Sequence, residues 1–148
     1  MYELKSGIKI GVIGLITIFT PITTSAFKNH LFPDYKFLDY KDIVINESKK
    51  LRKAGANAVL VVGHLGNDCN ISNAYGKWTK DSKQPDCGVP NDEATKLIND
   101  LPEGTIDGLL QGHRHKFAHH FIKGPCFYTQ ESLTSAQSTE GITSMSFT

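Results

Sequence analysis

Residues 55–66 read "GANAVLVVGHLG", and this stretch decides the fold. Ala58 to Val62 is an unbroken apolar run, rich in β-branched valine and bounded by glycine on both sides. A run this short is a strand, since a buried helix needs about 10–12 residues. The absence of polar alternation predicts a parallel strand covered on both faces. Upstream, in "DIVINESKKLRKAG", Val44, Leu51 and Ala54 mark one helical face, and Gly55 suits the left-handed stop that ends a helix. His64 then falls just beyond the strand's C-terminal end.

Working outward, "IKIGVIGLITIF" at residues 8–19 carries Ile8, Ile10 and Val12 at period two and predicts a buried strand from Ile8 to Gly14. Its 12 residues cannot span a bilayer. Lys5 before it and "TTSA" after it also fit a cleaved leader with a mature N-terminus near Phe27, a reading that Glu3, Gly11 and Gly14 oppose. A Thr-, Pro- and Ser-rich loop and an irregular aromatic segment lead to about Tyr40. The polar stretch from Asn67 to Pro90 reads as a long loop or insertion. A second helix is predicted from about Asn91 to Leu101, with Asp92 and Glu93 in its first turn and Pro102 as its stop. "IDGLLQG" supplies a third strand, which His113 follows as His64 follows the second. The tail predicts two or three further strands, with turns at Gly124–Pro125 and near Gly141. Alternating strands and helices specify an α/β layer with parallel strands, to which the tail adds antiparallel pieces.

The composition narrows the function classes. The chain has 148 residues, 39% hydrophobic and 21% charged, as expected for one globular domain with a core. Its net charge of +1 provides no field that would recruit nucleic acid or an anionic membrane. Cys69, Cys87 and Cys126 lack the C-x-x-C spacing of zinc ribbons and redox motifs. Cys69 and Cys87 flank the polar insertion; a disulfide between them would require an oxidising compartment.

Chemistry concentrates in "QGHRHKFAHH", residues 111–120, which holds four of the six histidines. In open α/β sheets, ligands gather outside the carboxyl ends of the strands, where both "GHLG" and "GHRH" fall. His64 and His113 are therefore expected to converge. In extended backbone His113 and His115 project to the same side and can reach one metal or two adjacent metals. Arg114 between them points away or toward an anionic substrate. His119 and His120 face opposite sides of a predicted strand and read as packing or surface residues, and His30 has no evident partner. The competing reading is that a histidine after a strand serves structure alone.

The ordered set "GIKIGVIGLIT", "GANAVLVVGHLG" and "IDGLLQGHRH" resembles the C-terminal half of the calcineurin-like metallophosphoesterase domain, closest to its 5'-nucleotidase branch. The resemblance covers residues 7–130. It implies a β-sandwich flanked by helices around two divalent metal ions of the Zn, Mn, Fe or Mg class. It also implies attack on phosphorus by a metal-bound hydroxide, with a phosphomonoester such as a nucleotide as substrate. By the same resemblance, His64 and His113 match ligands of one metal and His115 matches a ligand of the other. Many nucleotidases carry Gln or Asn where His115 stands, so this position resembles the broader phosphoesterase pattern.

The family's N-terminal motifs have no counterpart here: the chain contains no Asp-x-His, no Gly-Asp and no Gly-Asn-His. Residues 1–148 therefore read as the C-terminal half of the domain, inactive alone, with the N-terminal half supplied in cis or in trans. Such a half exposes a sheet edge and an apolar face. The alternative from another class is a non-catalytic or degenerate domain in which the histidines hold one structural zinc. A secreted or cell-surface location is the expectation, in keeping with nucleotidase relatives and the Cys69–Cys87 spacing. No transmembrane segment is expected.

Overall fold

The computed structural model describes residues 1–25, 35–66 and 92–113. Four strands form one sheet in the order β1-β2-β3-β4: β1 (Tyr2–Glu3), β2 (Lys9–Ile16), β3 (Ala58–His64) and β4 (Gly108–Gln111). β2, β3 and β4 run parallel, as the alternation of strands and helices predicts, while the short β1 pairs antiparallel with β2. Between the strands lie α1 (Thr20–Thr23), α2 (Tyr40–Lys53) and α3 (Glu93–Asp100). The mixed α/β class is therefore observed.

Local chemistry explains the boundaries. The Asp39 side chain accepts from Lys41 N at 3.0 Å, capping an otherwise orphaned donor of α2. Lys50, Arg52 and Lys53 occupy its last turn, where cations complement the helix dipole. Gly55 has φ +95°, so the stop takes the left-handed conformation expected of it. The buried face of α2 is Tyr40, Val44 and Ser48; Leu51 packs beside it. Ala54 is exposed at the helix end, contrary to its predicted place on that face.

Helices α2 and α3 share a core with one face of the sheet. Val44, Val59, Val61, Leu65 and Leu109 are fully buried, and Ala94, Leu97 and Ile98 of α3 join them. At Gly11 an added Cβ would lie 2.9 Å from Leu51 Cδ1 and 3.0 Å from Leu51 Cβ. Glycine there allows α2 to approach β2 closely. At the N-terminal ends of β3 and β4, Asp107 Oδ2 accepts from Val59 N and from Arg52 Nη2, both at 2.6 Å, tying β3, α2 and the entry to β4 together.

Three expectations need correction. β2 runs two residues further than Gly14, to Ile16, and His64 is the last residue of β3, not the residue after it. The predicted loop after β2 contains the single turn α1, begun by Pro21, whose missing N–H costs nothing in a first turn. The coverage of β3 on both faces is not seen among the described residues. Val62 is 44% exposed, beside Val12 at 48% and Ile16 at 51%. An apolar run alone cannot show which face receives a partner layer. The expected strands of the tail and the insertion from Asn67 to Pro90 lie outside the described residues.

Candidate functional site

The C-terminal ends of β2 and β3 and the turn after β4 meet at one edge. Ile16 is in register with His64, and Gly63 with Gln111. Side chains alternate along β3, so Val59 and Val61 enter the helix-covered core while Val62 and His64 point to the opposite face. In β4, Leu109 and Gln111 turn to the covered side. Gly112 N donates to Gly63 O at 3.0 Å and carries the chain past the strand end. An added Cβ at Gly112 would come within 3.9 Å of His64 Nδ1, so the turn passes over the imidazole.

His113 then has φ +111°, the one non-glycine residue with positive φ among those described. Such a backbone is uncommon for a residue with a Cβ and persists where its surroundings hold it. The consequence is contact between two imidazoles. His113 Nδ1 lies 2.9 Å from His64 Nε2, with ring centroids 4.7 Å apart and planes at 78°. Without a metal, one ring nitrogen must donate and the other accept, which fixes complementary tautomers.

Two imidazole nitrogens this close are candidates to share one metal ion. Zinc bound by imidazole takes nitrogen ligands at about 2.0–2.1 Å, and adjacent ligands of a tetrahedral site then lie about 3.3 Å apart. The observed 2.9 Å is shorter than this, so a shared ion would require the two nitrogens to move about 0.4 Å apart and both rings to turn toward it. His64 is exposed and His113 half-buried, so an ion can enter. Among the described residues no group of three or more His, Cys, Asp or Glu side chains is placed to hold an ion. His115, Arg114, His119, His120, His30 and the three cysteines lie outside those residues.

Sequence reasoning assigned Glu93 only to a helix first turn, and passed over Thr17 and Tyr40. In the structure Glu93 opens α3 behind the histidine pair. Its Oε1 accepts from Tyr40 Oη and Thr17 Oγ1 at 2.8 Å and from Ile18 N at 3.2 Å. Its Oε2 accepts from Thr17 Oγ1 at 2.7 Å and from Gly66 N at 3.5 Å. Tyr40 Oη also accepts from Ile18 N at 2.7 Å. Burial, reinforced by the hydrogen bond to Glu93, pushes the Tyr40 phenol well above its ordinary pKa of 10. Asp92 is the N-cap of α3, and its carbonyl accepts from Lys96 N at 2.8 Å. Only the tertiary meeting of three segments distinguishes Glu93 from any other first-turn acid.

Comparison with known proteins yields one distant likeness. The chain is 30% identical over 116 residues to cell wall protein Lmo0130 of Listeria monocytogenes serovar 1/2a, a match covering 78% of this chain. It spans 14% of that relative's length. No family model and no solved structure matches the chain.

Proposed function

We propose that this chain carries part of the metal centre of a calcineurin-like metallophosphoesterase, a hydrolase of phosphomonoesters such as nucleotides. The observation that supports it most is the meeting of His64 Nε2 and His113 Nδ1 at 2.9 Å, made by a positive-φ residue at the ends of adjacent parallel strands. The sequence resemblance supplies the reaction class and the third ligand. His64 and His113 would hold one divalent ion, and His115 would contribute to a second.

Ions at this place would lower the pKa of a bound water and neutralise charge on the phosphoryl oxygens. The histidines would fix the ions and leave proton transfer to other groups. The bridging carboxylate and the general-acid histidine that the resemblance calls for have no counterpart among the 148 residues. Hydrolysis by this chain alone is accordingly expected to be slight. The likeness to a protein named for the cell wall favours a cell-surface location. No described helix is long and apolar enough to cross a membrane.

Metal content after dialysis against zinc or manganese tests the assignment. His64→Ala, His113→Ala and His115→Ala should each lower occupancy, while His30→Ala should not. Equal content in all four would sink the reading. A second reading, one structural zinc without catalysis, is favoured by the absence of the carboxylate motifs. Under it, stoichiometry stays at one ion when the chain is mixed with an N-terminal half from the family; under the first it rises to two.

A further inference from the structure

We propose that Glu93 is a positioning residue for His64, setting the imidazole toward His113 by holding both sides of the strand end on which His64 stands. The consequence for metal affinity rests on the metal-site reading; the positioning itself does not.

The connectivity carries the argument. His64 O accepts from Thr17 N at 3.1 Å, and the hydroxyl of that same Thr17 donates to Glu93 at 2.7 and 2.8 Å. Two residues after His64, Gly66 N points to Glu93 Oε2 at 3.5 Å, and Gly66 O accepts from Ala94 N at 3.2 Å. One side chain therefore reaches the backbone on both sides of His64, through β2 on one flank and directly on the other. Tyr40 brings the start of α2 to the same carboxylate.

The chemistry of the shell agrees with that role. An ionised carboxylate offers about four lone-pair sites. Here they meet two hydroxyls and two backbone N–H groups, all donors. Glu93 is thus engaged by donors from three segments, the setting of a structural carboxylate. No described Lys or Arg forms an ion pair with it; its charge is met by donors and by the N-terminus of α3. A glutamine keeps one acceptor oxygen and puts on the other side an N–H₂ group, which the Thr17 and Tyr40 hydroxyls can accept from but the N–H groups of Ile18 and Gly66 cannot, so the isosteric change weakens the clamp without changing its size.

The test uses the full chain, labelled with nitrogen-15 at histidine and free of metal. A coupling across the hydrogen bond between His64 Nε2 and His113 Nδ1 reads the pair directly. It should be present in the parent chain, lost in Glu93→Gln and lost in Thr17→Val, which removes the hydroxyl. It should persist in Asp107→Ala, which damages the opposite end of the sheet. That contrast separates positioning from general loss of stability. Zinc titration should show about tenfold weaker binding in Glu93→Gln, the lower end of the loss seen when groups supporting a metal ligand are changed. Coupling lost in both clamp variants, with no zinc bound by the parent chain, would uphold positioning and refute the metal centre. Absence of coupling in the parent, or coupling and zinc affinity unchanged in folded Glu93→Gln, would overturn the proposal. Should Glu93→Gln fail to fold, retention of the coupling in Thr17→Val would overturn it equally.

Discussion

His113 shows how much one backbone angle can decide. His64 would face an empty sheet edge if His113 continued in extended conformation; at φ +111° the second imidazole turns back to within 2.9 Å of it. Tyr40 offers a prediction at the same scale. Its phenol ionises near 10 in the unfolded chain and well above that in the fold, so folding favours the protonated form. Its contribution to stability is complete below pH 10 and falls as pH rises toward the folded value. Tyr40→Phe should have lower stability at neutral pH, by about 1.5–3 kcal/mol for a hydrogen bond to a charged acceptor. Above pH 10 the gap between the two should narrow. Urea unfolding at pH 7.5 and at about pH 10.5 measures both. A gap independent of pH would refute the burial of the Tyr40 phenol against Glu93.

Between elements, the critical contact is α2 on β2. Gly11 lets Leu51 sit where any Cβ would lie about 3 Å from it, and Leu51 Cβ cannot swing aside as a chain end can. Gly11→Val is therefore expected to cost about 1–3 kcal/mol by overpacking. Gly14→Val, where nothing lies within 4 Å of an added Cβ, should cost little or even stabilise a β-strand. Thermal unfolding of the two variants gives the comparison; equal loss would show that β2 and α2 do not approach as described. The alternation of helices with strands was legible in the sequence, and Val44 and Leu51 marked the packed side of α2 by their spacing, whereas the all-apolar run of β3 did not show which of its faces the helices cover. The close approach at Gly11 was not legible, since a glycine in a strand signals equally a bulge, a bend or a neighbour's backbone.

At the scale of the whole molecule, one face of the sheet is covered by helices among the described residues. Val12, Ile16 and Val62 stand exposed on the side away from the helices, joined by the half-buried Leu60 and Leu110. Parallel sheets are ordinarily covered on both sides, and an apolar patch of this kind promotes association in water. The chain expressed alone is expected to associate as its concentration rises, and Val12→Lys with Val62→Lys should reduce that tendency. Sedimentation over a hundredfold range of concentration decides; a monomer throughout in the unaltered chain would contradict it. The same face carries His64 at its C-terminal edge, so any layer that covers the valines also borders the histidine pair.

The sequence by itself determined the three parallel strands, the two longer helices and their order, while β1 and α1 were not legible in it. Apolar runs of strand length, helical spacing between them and turn residues such as Gly55 act within a few residues of the chain, and the parallel α/β arrangement follows from their alternation. It also placed His64 and His113 at strand ends, because a Gly-His pair after an apolar run is a local signal. Only the tertiary structure decided that the two rings meet, since that depends on the register of β3 with β4 and on the angle at His113. Only the tertiary structure made Glu93 a clamp, because its partners Thr17, Tyr40 and Gly66 lie 76, 53 and 27 residues away along the chain. Periodicity reports a residue's own face, whereas a hydrogen-bonded cluster of this kind exists only after distant segments have packed.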